Sequence, residues 1–162
     1  MDRDELVGLI RDTWKRHNEI LIYLIDHVPV RGFSAVPAGS RGRDVTAQLA
    51  HLDRVRRGWL KFHATGIRPK LPRHDKGAPP SKAQLKKALR ESGASVDKFL
   101  RAAIDGQART RLFGGQPVRW MGYLIAHESH HRGQIMLALK QSGLRVPEKV
   151  ALGLWGMWIF GK

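Results

Sequence analysis

The 162-residue chain contains no cysteine, and it has fewer than half as many acidic residues as basic ones. The absence of cysteine excludes disulfide scaffolds, thiolate nucleophiles, and zinc or iron–sulfur sites built from thiolates. No apolar run approaches the ~18–20 residues of a membrane-spanning helix. The acidic, amphipathic start of the chain lacks the basic-then-apolar order of a signal peptide. We therefore expect a cytoplasmic protein without a membrane segment.

The excess of basic residues is large: 29 Lys and Arg against 14 Asp and Glu give a formal net charge of +15. Such a balance makes nucleic acid the first partner to consider. Three basic clusters follow one another along the chain: Arg54, Arg56 and Arg57; Arg68, Lys70, Arg73 and Lys76; and Lys82, Lys86, Lys87 and Arg90. No DNA- or RNA-binding motif accompanies them, and aromatic residues do not alternate with them as in a stacking surface. Specific nucleic-acid binding therefore stays an alternative, and an anionic small-molecule substrate is equally compatible with the charge.

Apolar residues recur every three or four positions in four long segments, which is the spacing of amphipathic helices. The predicted helices span about residues 2–28, 44–65, 81–105 and 117–142. Asp44 and Ser81 are suitable N-caps, and Pro117 suits a first helical turn. Because no alternating pattern indicates a strand, the sequence predicts an all-α, up-down four-helix bundle that forms one domain over residues 1–162. The short aromatic C-terminal tail is expected either to pack across the bundle as a helix or to contact another subunit.

Two of the eight histidines lie four residues apart on the predicted fourth helix. His127 and His131 are one turn apart on its apolar stripe, so both imidazoles are expected to point inward. Burying them without partners would cost on the order of a few kcal/mol, and a divalent metal would satisfy both. His51, near the start of the second helix, is the third candidate ligand. Three histidines leave an open coordination position, which is typical of a catalytic site. The alternative is that they are core histidines hydrogen-bonded to carbonyls or carboxylates.

Residues 127–131 also match H-E-x-x-H, the zinc-protease motif in which Glu128 would be the general base. The extended motif requires glycine and histidine further on, where this chain has Gln134 and Leu137. No predicted strand precedes the helix to bind a substrate peptide. A metalloprotease is therefore the weakest alternative. Glu128 stays a candidate catalytic base toward a metal-bound water, with an ion pair to a neighbouring helix as the structural alternative.

Further polar residues are candidates for supporting the metal ligands. His17 lies on the inward stripe of the first helix, where it can hydrogen-bond near the metal. Gln134 lies one turn from His131 and can orient a ligand or a bound water, or form a hydrogen bond across the bundle. His130 is ~100° around the helix from its neighbour and cannot join the same triad. Three histidines have no identifiable partner and are expected in solvated positions: His27, His63 and His74.

Three segments of the chain resemble those of a known family. The run YLIAHESHHRGQIMLALKQSG resembles the final helix of the DinB/YfiT-like metalloenzymes, which carries His-x-x-x-His followed by Arg-Gly-Gln. The run AHLDRVRRGWLKFHATG resembles a second block of that family, with a ligand histidine at His51, a tryptophan at Trp59 and a glycine at Gly66. The run TWKRHNEILIYL is similar to the family's first helix, with Asn18 matching. The resemblance spans nearly the whole chain.

The resemblance implies a four-helix bundle that binds one divalent metal, commonly zinc or nickel, through His51, His127 and His131. Members are frequently homodimers, and their known activities include thiol-dependent S-transferases and a mycothiol-dependent maleylpyruvate isomerase. We therefore expect a metal-dependent transferase or hydrolase that acts on a small molecule. Because the chain lacks cysteine, any sulfur nucleophile must come from a low-molecular-weight thiol co-substrate. A metal-binding module without catalysis is a further alternative.

Overall fold

The computed structural model describes residues 2–69 and 78–161, and over these residues the protein is helical without any strand. The five helices are α1 (Arg3–His27), α2 (Val45–Thr65), α3 (Lys82–Ile104), α4 (Pro117–Gln141) and α5 (Glu148–Ile159). Short 3-10 turns occur at Val30–Ser34 and Phe113–Gly115. The all-α bundle is confirmed, and the four predicted helices match α1 to α4 to within one residue at each end.

The ends of the helices follow from local sequence. The Asp44 carboxylate caps α2 by accepting a hydrogen bond from the Ala47 amide at 2.7 Å. Ser81 and Gln84 cap α3 reciprocally, each side chain accepting from the other's backbone amide. Gly66 ends α2 with φ at 75°, a left-handed conformation that glycine adopts without steric cost. These local signals explain why the helix boundaries were predictable.

Side-chain contacts give the relative direction of α1 and α3. Near the start of α1, Arg3 donates to the carbonyl of Ile104 at the end of α3. Near the end of α1, Asp26 pairs with Lys86 in the first turns of α3. The two helices are therefore antiparallel.

Between α2 and α3, by contrast, residues later in one helix contact residues later in the other. Arg56 donates to the carbonyl of Leu89, and further along the ring of His63 stacks on Phe99. These helices are therefore parallel, whereas the sequence predicted an up-down order throughout. The difference has a physical reason: the 16 residues from 66 to 81 can span about 50 Å when extended, more than the ~32 Å length of α2. Strict alternation is required only when connections are short.

A polar layer divides the interior of the bundle. The larger hydrophobic cluster includes the apolar residues of the second half of α1, such as Ile20, Leu24 and Ile25, and the smaller one includes Trp14 and Trp120. Between these levels lie four buried polar side chains: His17, Asn18, Arg56 and Glu128. Because burying polar groups is costly unless they are paired, this layer is where function or specific helix pairing is expected.

The C-terminal tail forms α5, which packs against α1. Val150 and Leu154 of this helix are buried. Its outer face, together with the residue that follows it, leaves four large apolar side chains exposed: Leu152, Trp155, Ile159 and Phe160. The tail is thus a helix on the bundle whose opposite face lacks a partner within the described residues.

His63 is buried, so the solvated position predicted for it is wrong. The residue is 3% exposed, and its ring packs against both Phe99 and Trp120, with ring centroids 4.9 and 4.8 Å away. The Arg111 amide donates to Nδ1 at 3.1 Å, so Nε2 carries the proton. His27 is exposed as expected, and His74 lies outside the described residues.

The stability of the metal-free protein is expected to fall in acid through His63. Burial, followed by the charge of Arg111, lowers the pKa of His63 to about 4 from the ordinary 6.5. The unfolded chain therefore binds the proton more readily, and stability present above pH 6.5 is lost as the pH falls toward 4. The difference between these two pKa values corresponds to about 3 kcal/mol in the free energy of unfolding.

The measurement is urea unfolding of the wild type and of His63→Gln between pH 7 and pH 4. Because His51 and His131 add similar acid sensitivity to both proteins, the informative quantity is the difference between the two profiles. We expect the variant to lose about 3 kcal/mol less than the wild type over this range, while His27→Gln follows the wild type. Parallel profiles for wild type and His63→Gln would contradict this assignment.

Candidate metal centre

Three histidines from α2 and α4 converge at the level of the polar layer. The nitrogen atoms that His51, His127 and His131 offer lie within 4.8 Å of one another. Nitrogen atoms bound to one tetrahedral ion at ~2.0–2.1 Å lie ~3.4 Å apart, so rotations and modest shifts of the three rings would bring them to one ion. In residues 2–69 and 78–161 no other group of three His, Asp or Glu has this geometry. The structure therefore brings together the three predicted ligands.

Apolar neighbours set the register of the three rings. Leu49 and Leu52 flank His51 on α2 and are fully buried. Leu124 and Ile135 do the same on either side of the two histidines of α4. Because α2 and α4 each anchor these leucine and isoleucine side chains in the core, the intervening imidazoles are directed toward the space between the two helices.

The three imidazoles are neutral at physiological pH. Burial first, then the charge of Arg43 and the neighbouring imidazoles, lowers the pKa of His51 to about 4. Burial and the neighbouring His127 lower the pKa of His131 to about 4 as well. Burial also lowers the pKa of His127, although Glu128 opposes this shift. Neutral rings keep the lone pairs that metal coordination requires.

Gln48 fixes the orientation of His131, and sequence reasoning missed it. Its Nε2 donates to the carbonyl of Arg43 at 3.3 Å, which sets the amide so that Oε1 accepts from Nδ1 of His131 at 3.2 Å. His131 therefore presents an unprotonated Nε2. Such outer partners hold the ring and tautomer of a ligand histidine. The available signal was its position three residues before His51, on the same face of α2.

The environment of His127 is consistent with a metal ligand. Its Nδ1 is buried and has no hydrogen-bond partner among the described residues. The ring of Tyr123, one turn earlier on α4, stacks on it with centroids 5.9 Å apart. A buried ring nitrogen without a partner is costly, and coordination of a cation through Nδ1 would remove that cost. The donor set of three neutral imidazoles therefore fits a divalent ion.

A comparison with protein families agrees with this geometry. The profile of the DinB family matches residues 3–153, which include all three histidines. The chain belongs to the DinB family. No curated protein matches it. Among the described residues of this DinB-family protein, no helix is long and apolar enough to cross a membrane.

Glu128 of this DinB-family protein forms a buried ion pair. Its two carboxylate oxygens each accept a hydrogen bond from Arg56 of α2 at 2.7 Å, and Oε2 also accepts from Nε2 of His17 at 2.9 Å. Burial alone would raise the pKa of the Glu128 carboxyl, but the charge and hydrogen bonds of Arg56, aided by His17, hold it below its usual range. The contacts thus show the ion pair to a neighbouring helix. The role of catalytic base stays a prediction that no contact supports.

Each of the two predicted supporting residues bonds to a sequence neighbour of a candidate ligand rather than to a ligand itself. His17 reaches Glu128, the neighbour of His127, and its own Nδ1 is buried without a partner in the described part of the chain. Gln134 donates to the exposed His130 at 2.9 Å rather than to a candidate ligand. Their influence on a metal stays a prediction, whereas Gln48 contacts His131 directly.

The residues of the three basic clusters do not share one environment in the structure. Arg56 is fully buried in its ion pair and belongs to no surface. Arg57 pairs with Asp53, and Lys86 pairs with Asp26, so part of the remaining charge is neutralised locally. Three members lie outside the described residues: Lys70, Arg73 and Lys76. The described contacts therefore give no support to a dedicated nucleic-acid surface.

Proposed function

We propose that this DinB-family protein is a metal-dependent enzyme acting on a small molecule, with His51, His127 and His131 holding one zinc or nickel ion. The observation that carries the proposal is the convergence of three neutral imidazoles from two helices. Within the described residues no carboxylate or cysteine completes a fourth protein ligand. Three protein ligands leave a position for water or substrate, as in catalytic sites.

The chemistry proposed for this site is the activation of a nucleophile. A bound divalent ion supplies Lewis acidity, which lowers the pKa of a coordinated water or thiol. The chain itself contributes ring orientation through Gln48. It also contributes the positive charge of Arg43, which acts on all three histidines and favours an anionic reactant. A thiol must come from a low-molecular-weight co-substrate because the chain has no cysteine. Both S-transfer and hydrolysis are compatible with this arrangement.

The proposal is tested with protein purified without a histidine tag. Its metal content is measured by mass spectrometry, and one divalent ion per chain is expected. The loaded protein is then assayed with glutathione and 1-chloro-2,4-dinitrobenzene for S-transfer, and with 4-nitrophenyl acetate for hydrolysis. Turnover in either assay should disappear with a chelator and return when the ion is added back. A protein that takes up no ion at equimolar concentration contradicts the proposal.

We propose further that the outer face of α5 contacts a second copy of the chain. Four exposed apolar side chains spaced along that face support this: Leu152, Trp155, Ile159 and Phe160. Such patches mark interaction sites more often than free surface. We expect light scattering to give a dimer for the wild type and a monomer for Trp155→Glu. The control Leu9→Glu, at an exposed apolar position of α1, should stay dimeric. A monomeric wild type at high micromolar concentration would disprove this interface.

A further inference from the structure

A pocket of about 320 Å³ lies between α2 and α4. Its walls include Val55, Gly58, Trp59 and Phe62 from α2, Tyr123 from α4, and Arg68 from the segment after α2. Concave sites of roughly 300–1,000 Å³ with mostly apolar walls and few polar groups are typical of small-molecule binding. The size and lining of this pocket therefore suit a small organic ligand.

The pocket adjoins the candidate metal centre along both helices. On α4, Tyr123 is one turn from His127, and the two rings are stacked with an interplanar angle of 20°. On α2, Val55 is one turn beyond His51. The ring of His51 contacts His131, and Trp59, two turns further along α2, contacts Tyr123, two turns earlier on α4. The two helices are therefore antiparallel, and the pocket residues lie along the same pair of helices as the triad. A molecule in the pocket therefore lies beside Tyr123, whose ring stacks on His127.

The walls of the pocket are aromatic and carry one charge. Trp59 contacts Tyr123 and Phe62 edge-on, with ring centroids 5.6 and 5.7 Å apart. The guanidinium of Arg68 lies 5.9 Å above the ring of Phe62, and Arg68 is exposed. No acidic side chain is among the described lining residues. This chemistry favours an apolar molecule with one negative group.

We propose that the pocket binds an aryl-substituted carboxylate, with its ring against Trp59 and Tyr123 and its carboxylate at Arg68. Aromatic walls bury apolar area, and a guanidinium binds a carboxylate through charge-assisted hydrogen bonds. That this ligand class is the substrate of the metal centre rests on the proposed function. The binding itself does not depend on it.

The test is isothermal titration with three probes: 4-phenylbutanoate, its neutral analogue 4-phenylbutan-1-ol, and butanoate, which lacks the ring. We expect the acid to bind roughly tenfold more tightly than either analogue, because each analogue lacks one recognised group. In Arg68→Gln the acid should bind roughly tenfold more weakly while the alcohol is unchanged. Trp59→Phe should weaken both aromatic probes. The control Arg145→Gln removes an exposed charge after the end of α4, about 27 Å along the helix from Tyr123, and should leave all three unchanged.

Metal content is measured on the same samples, and titrations are run with and without zinc. Acid binding that depends on Arg68, in a protein that takes up no metal, supports this pocket while it contradicts the proposed function. Stoichiometric metal uptake without acid binding in either state overturns the pocket and leaves the metal centre standing. Equal affinities for acid and alcohol in the wild type, or an equal loss in Arg68→Gln and Arg145→Gln, also overturn it.

Discussion

Replacement of Arg56 by methionine is expected to lower the free energy of unfolding by about 3–5 kcal/mol. Arg56 is fully buried, and its guanidinium donates to Glu128, to Oδ1 of Asn18 and to the carbonyl of Leu89. Methionine fills much of the same space but leaves the Glu128 carboxylate without its cation. A buried charge that loses its partner carries the desolvation cost that the pair had offset.

The matched control for this substitution is Arg57→Met, one residue further along α2. Arg57 is 49% exposed and pairs with Asp53 one turn earlier, so its loss should cost no more than about 1 kcal/mol. Urea unfolding of the metal-free proteins measures both effects. Glu128→Gln provides a milder variant if Arg56→Met does not fold, and it should also destabilise because it leaves Arg56 uncompensated. Equal costs for Arg56→Met and Arg57→Met would show that the buried pair contributes nothing specific.

The ion pair belongs to a layer that joins four helices. Trp14 of α1 donates its indole N–H to the carbonyl of Gly93 on α3, and Arg56 lies over the Trp14 ring at 4.9 Å. A side chain at Gly93 is excluded because its Cβ would lie 2.6 Å from Oδ1 of Asn18. Since Glu128 adjoins His127 on α4, this layer also sets the register between the two helices that carry the candidate ligands. Stability and site geometry are therefore coupled here.

The helices and the histidine triad could be predicted because each depends on local periodicity. An i, i+4 pair on an apolar stripe must point inward, and His51 follows a capped helix start by two turns. The parallel direction of α2 and α3 could not be predicted in this way, because it depends on how a 16-residue connection is used.

Arg56 and His63 show where local patterns are insufficient. Arg56 stands in a run of basic residues, yet it lies one turn after the fully buried Leu52. The available signal for a buried pair is a basic residue at an apolar position of one helix together with an acidic residue, Glu128, on another. His63 directly follows the buried Phe62 and is covered by rings from α3 and α4. Such coverage depends on tertiary packing, which periodicity does not encode.

Substitution of His131 by alanine is expected to abolish stoichiometric metal binding. With one of three imidazoles removed, two ligands from different helices remain, and the loss of affinity should exceed the ~10–100-fold that removal of an outer partner causes. The measurements are metal content after equimolar loading and competition with a chromophoric chelator. His51→Ala and His127→Ala should behave in the same way, because each supplies one of the converging nitrogen atoms.

Two further variants separate coordination from general disturbance of α4. His130→Ala removes an exposed imidazole next to His131 and should retain one ion per chain. Gln48→Ala keeps all three candidate ligands but frees the His131 ring, so its affinity should fall by the intermediate ~10–100-fold. Ion at 100 times the dissociation constant should stabilise the wild type by about 2.7 kcal/mol, and His131→Ala by much less. An affinity that falls from wild type to Gln48→Ala and again to His131→Ala would show that a residue of α2 positions a ligand of the site. Equal affinities for all three proteins would place the ion elsewhere on the protein.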